Sequence, residues 1–119
     1  QQRTIIGEDD LKFLYNFVVN GGSEKDLSYG QRVYHKGLMS EAFDQVWITA
    51  DKHFKNDKEQ MLKFADYSEA RAKEQYELDN VDNALFSMVQ SKAMKAMVDS
   101  MQIDQDNSIR RQATNVMAI

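Results

Sequence analysis

Four of the chain's seven methionines fall within the 14 residues from Met88 to Met101, MVQSKAMKAMVDSM. Met94, Met97 and Met101 are spaced i, i+3, i+7, so a helix places all three on one face. Thioethers are soft ligands that suit Cu(I). However, the chain has no cysteine, no histidine stands nearby, and Ala93, Ala96 and Val98 surround the sulfurs with inert groups. The spacing therefore reads first as the apolar side of a core helix. A docking surface for another chain is the second reading, because methionine is over-used at adaptable interfaces. No bound metal and no other cofactor is expected.

The two histidines, His35 and His53, are 18 residues apart, a separation that matches no metal-ligand spacing. His53 and Asp57 form an i, i+4 pair if the helix runs that far, as a salt link or a pH-sensitive cap. A catalytic pair would also need a nucleophile, and no serine sits in a recognisable elbow. Glu69, Glu74, Glu77 and Asp82 resemble a di-iron carboxylate set only superficially. Such sites need Glu-x-x-His, whereas His35 follows Arg32 and His53 follows Ala50 at that offset. These acids read as a solvated face paired with Lys73 and Arg71 at helical spacings. No catalytic residue is assigned, and no glycine-rich phosphate loop is present.

Arg110-Arg111 is the single pointer to nucleic acid. A specific reader usually carries a broader basic footprint. Gly37-Leu38-Met39-Ser40 suggests the turn of a helix-turn-helix, but the helix after it opens Glu41-Ala42-Phe43-Asp44-Gln45, with two acids where DNA would lie. Nucleic acid is accordingly a disfavoured partner.

The elements that carry these residues are helical. The 119 residues contain no proline, 42% hydrophobic and 29% charged side chains, and a net charge of −4 spread without blocks. That composition suits a folded domain of helices joined by short turns. No apolar run approaches a membrane span. The start Gln1-Gln2-Arg3 lacks an initiator methionine, as expected of a processed or trimmed product.

Gly7 precedes Glu8-Asp9-Asp10, acids that favour a helix N-terminus, and Ile6 and Leu11 hold the positions of a hydrophobic staple. Leu11, Leu14, Tyr15 and Val18 set the stripe of a helix over 8–20 that Gly21-Gly22 ends. Ser23 with Asp26 is expected to cap a second helix ending near Lys36, with Gly37 as its stop. Ser40 is expected to cap a third, whose stripe is Phe43, Val46, Trp47, Ala50 and Phe54.

Asp57, with Gln60 in the capping-box position, opens the remainder. An unbroken helix from Lys58 to Ile103 would be ~68 Å long, too long for a compact chain of this size. Four of the six residues in Leu78-Asp79-Asn80-Val81-Asp82-Asn83 are Asp or Asn, which favour turns, so two helices over 58–78 and 81–103 are expected. Asp104-Gln105-Asp106-Asn107 is expected to end the second, with a short helix from Ser108.

The expected fold is all-α: a four- or five-helix bundle in one helical domain over 1–119. A compact three-helix N-terminal head (1–55) precedes a long helical segment (56–119), either one helix or a helical hairpin. The expected core is Leu11, Leu14, Phe17, Leu27, Phe43, Trp47, Phe54, Leu85 and Met88.

The expected function is non-enzymatic protein–protein interaction. The partner is another protein chain, including a second copy, and Met94, Met97, Met101, Arg110 and Arg111 are the candidate contacts. Such a chain serves as an assembly subunit, of phage-particle or secretion-apparatus type, or as a small inhibitor of one target. A small acidic nucleic-acid-associated regulator is the alternative. A helical enzyme or metal carrier, resting on His53 and the methionines, comes third.

Replacing Met94, Met97 and Met101 together by alanine is expected to weaken folding or oligomerisation and leave metal content unchanged. Stoichiometric copper in the wild-type protein, lost from the triple variant, would overturn that reading.

Overall fold

The computed structural model describes the backbone of residues 6–117 and the side chains of residues 6–102. Four α-helices, with one short 3-10 turn and no strand among the described residues, form an all-α bundle: α1 (Glu8–Asn20), α2 (Tyr29–Lys52), α3 (Lys58–Glu77) and α4 (Val81–Met117). Among the described residues, no helix is long and apolar enough to cross a membrane.

α1 begins and ends where the sequence places it. Gly7 is its N-cap and Glu8, Asp9 and Asp10 fill its first turn. Gly21 closes it in the left-handed conformation (φ 73°), its N–H donating to the Phe17 carbonyl at 2.8 Å. Ile6 and Leu11 both pack against the core cluster, as a staple requires.

α2 departs from expectation. Ser23 caps only the 3-10 turn Glu24–Asp26. The α-helical cap is Ser28, which forms a complete capping box with Gln31. The helix then runs 24 residues without the stop expected at Gly37, which does not take a left-handed φ. Leu38, directly after it, is fully buried, as is Ala42, and burial of that row outweighs the ~1 kcal/mol that glycine costs a helix interior. Two of the helices expected within residues 1–55 are therefore one, and there is no helix-turn-helix at 37–40.

Left-handed Lys55 and Asn56 (φ 50° and 59°) turn the chain into α3. Asp57 caps that helix, its Oδ1 accepting from the N–H groups of Glu59 and Gln60. The bend after α3 falls at the predicted Asp/Asn cluster. Asp79 takes φ 65°, and the Asp79 and Asn80 N–H groups donate back to the Tyr76 and Gln75 carbonyls. This is a Schellman closure with aspartate in the place usually held by glycine.

α4 does not end at Asp104–Asn107 but stays helical to Met117, about 55 Å in all. Asp and Asn cost only tenths of a kcal/mol in a helix interior, and an established helix propagates past them. Lys58, the first residue of α3, donates to the Gln102 side chain at 2.8 Å, so α4 runs about 22 Å past that level. The long axis of the molecule, 62 Å against 30 and 27 Å, follows from this.

α1, α2 and α3 each pack on α4. One cluster joins Leu14 and Tyr15 of α1, Leu38 and Ala42 of α2, and Ala72 of α3 to Leu85, Met88 and Val89 of α4. A second joins Val46 and Ala50 of α2 and Met61 and Ala65 of α3 to Met94, Met97 and Val98.

α3 and α4 approach closely. Met61, Ala65, Ser68 and Ala72 are all buried, facing a helix that buries Ala84, Ser87 and Ser91. The Ser91 hydroxyl reaches the Ala65 carbonyl at 2.7 Å, which a one-carbon side chain achieves only where the backbones nearly touch. Ser91→Ala is expected to cost about 1 kcal/mol for the lost buried hydrogen bond. Ser91→Leu should cost at least about 2 kcal/mol by forcing the helices apart. Urea unfolding of both variants checks the order. Equal costs would mean that the seam is not tight.

Candidate functional site

The methionine face is taken up by the chain itself. Met94 is fully buried, Met97 is 7% exposed and Met101 is half-buried, against Val46, Ala50, Met61 and Ala65, while Met88 is buried in the cluster that holds Leu38 and Leu85. Met94 and Met97 consequently have almost no surface to offer a partner, and Met101 has little. Arg110 and Arg111 lie on α4, and their side chains are outside the described residues.

The other sequence candidates are separated. His53 is exposed and serves as the C-cap of α2 through its backbone N–H. The chain turns directly after it, so His53 and Asp57 never share a helix, and the Asp57 carboxylate is engaged by the α3 backbone. Glu69 pairs with Lys73 at 3.2 Å, the expected helical spacing, and also with Lys95 of α4 at 3.0 Å, a cross-helix link. Both ammonium groups hold its carboxyl below the usual range, the hydrogen bond from Lys95 leading. Arg71 instead lies near the Tyr67 hydroxyl, at 3.4 Å. Among the described residues no three His, Asp or Glu side chains converge.

A shallow groove of about 430 Å³ lies between α3 and α4, lined by Phe64, Tyr67, Arg71, Gln75, Phe86 and Gln90 among others. Its polar groups are largely engaged: the Ser87 hydroxyl donates to Gln75 at 2.9 Å, and Gln90 donates to Gln45 of α2 at 3.1 Å. It presents no reactive constellation.

His35 is a different case. Its Nδ1 is buried without a hydrogen-bond partner, 3.7 Å from a Glu24 carboxylate oxygen, and its ring meets Phe17 edge-on. Burial lowers its pKa and the Glu24 charge pulls the other way; burial wins, because Glu24 is half exposed and screened.

What stands out on the surface is the outward side of α2. The row Tyr34, Leu38, Ala42, Val46, Ala50 is its buried line. Tyr29 (79% exposed), Val33 (36%), Trp47 (65%) and Ile48 (51%) lie outside it. Trp47 was expected in the core, and the structure corrects this. Small residues mark where α2 comes closest to α4, and the methionines already fill the space that an indole would need. The signal available in sequence was the unbroken i+4 row; it was masked by the size of the aromatic residues beside it.

Protonating His35 favours the unfolded chain, so its contribution is intact above about pH 6.5 and fades as pH falls below that value. The Glu69 contribution fades only below about pH 4.5, as its carboxylate is protonated. Urea unfolding is therefore expected to show a loss of stability between about pH 7.5 and 5 that His35→Phe flattens. An unchanged slope in the variant would remove His35 as the cause.

Compared with known protein families, with characterised proteins and with solved structures, the chain matches none.

Proposed function

We propose that this chain is a non-enzymatic helical protein–protein interaction module. It acts as a subunit of a larger assembly, of phage-particle or secretion-apparatus type, or as a small inhibitor of one protein target. The observation that carries the reading is the outward face of α2, where Trp47 and Ile48 are both more than half exposed although the core beneath them is complete.

Scattered exposed apolar residues are ordinary, but several on one side of one helix mark a contact surface. Tryptophan and tyrosine are the residues most often found to carry interface energy, because each buries a large rigid area at small entropic cost. On this reading the contact lies on α2, because Met94 and Met97 of α4 are almost wholly covered by the chain's own helices.

A photoreactive benzophenone amino acid at position 47, introduced in the native host, tests the reading. A covalent adduct with a protein, of the same or another sequence, is the expected result. Adducts confined to nucleic acid or lipid, or no adduct at all, would overturn it.

A further inference from the structure

We infer that the outward face of α2 binds the same face of a second copy, with the two helices antiparallel about a twofold axis near Ser40. The inference rests on the interaction reading and names its partner.

α2 buries an i+4 row, and the row diametrically opposite is Lys36, Ser40, Asp44, Ile48. The first three are exposed, and Ile48 is 51% exposed. An i+4 row is the ridge that two helices interdigitate in the commonest class of helix packing, crossing at about −50°. Lys36, Ser40 and Asp44 read plus, small, minus. Laid antiparallel on its own copy, that sequence becomes minus, small, plus. Lys36 then lies beside Asp44 of the second copy, Asp44 beside its Lys36, and the two Ser40 residues meet at the axis. Neither Lys36 nor Asp44 has an ion-pair partner among the described residues of its own chain.

The apolar residues obey the same register. Position 33 falls level with position 47, so Val33 faces Trp47 of the second copy at both ends of the contact. In a parallel arrangement Lys36 would meet Lys36 and Asp44 would meet Asp44, so the charges select the antiparallel one.

Glycine supplies an independent pointer. Gly37 lies beside this ridge in the middle of the helix, where it costs about 1 kcal/mol relative to alanine. Its lack of a side chain lets a second helix come close at the centre of the contact.

One helix pair makes a small interface, about 1,000 Å² in total, so the dimer should be weak and dissociate at tens of micromolar. Light scattering across about 10 µM to 1 mM should show the average mass rising towards twice that of one chain. Lys36→Asp or Asp44→Lys alone places two like-charge pairs in the contact and should weaken it roughly tenfold or more. The double variant K36D/D44K exchanges the charges in both copies and should restore association to within about threefold of wild type.

A protein that stays monomeric to about 1 mM, or a dimer indifferent to both single variants, would overturn the inference. The interaction reading fails separately. A monomer whose position 47 crosslinks to a different protein keeps that reading and loses this partner, whereas no protein adduct loses both.

Discussion

The close seam between α3 and α4 is the constraint on which the rest of the structure depends. Ala65, Ser68 and Ala72 face Ala84, Ser87 and Ser91, and the Ser91 hydroxyl reaches the Ala65 carbonyl across the gap. With so little side-chain volume between them, the two backbones form one thick unit, held also by the Glu69–Lys95 link at 3.0 Å. α4 then has its other sides free to receive α1 and α2. That explains why buried residues occupy almost every direction around α4 between Ala84 and Val98. The long helix is a spine, and the others are laid against it.

This arrangement decides how α2 must lie. A row of residues four apart advances about 40° per step around a straight helix, so the line from Tyr34 to Ala50 winds across the surface of α2. A helix that buries such a line crosses its neighbour at an angle, leaving gaps of uneven width between the two. Leu38, Ala42, Val46 and Ala50 diminish the α2 side, and Met88, Met94 and Met97 fill what remains. An unbranched, three-torsion side chain suits that task, since it adapts to irregular space that a branched residue would leave empty or overfill. The same winding carries the outward face with it, which sets Tyr29 and Val33 at one end and Trp47 and Ile48 at the other.

Much of this was legible in the sequence where local rules and tertiary packing agree. The ends of α1, the Asp57 cap, the bend at Asp79 and the buried stripe of α3 each follow from side-chain chemistry within a few residues. Gly37 is no stop, because glycine permits a left-handed turn without requiring one, and only the burial of Leu38 and Ala42 decides that the helix continues. Trp47 lies outside the core for a related reason. A stripe containing Phe43, Trp47 and Phe54 looks more apolar than one of Leu38, Ala42, Val46 and Ala50, yet small residues mark the side of closest approach. The candidate surface was illegible because exposure belongs to the assembled bundle.

The concentration of methionine between residues 88 and 101 thus meets a packing demand set by helix geometry. Two helices, α2 and α3, converge on the part of α4 that carries Met94, Met97 and Met101, and each lines its approach with alanine or valine. Had α2 turned Trp47 inward, the indole would compete for the volume that Met94 and Met97 occupy, and α2 would be pushed away from the spine. Covering the methionines and exposing the tryptophan are therefore one event. The side of α2 that makes room for a close helix inside the molecule leaves its bulky residues on the side facing out.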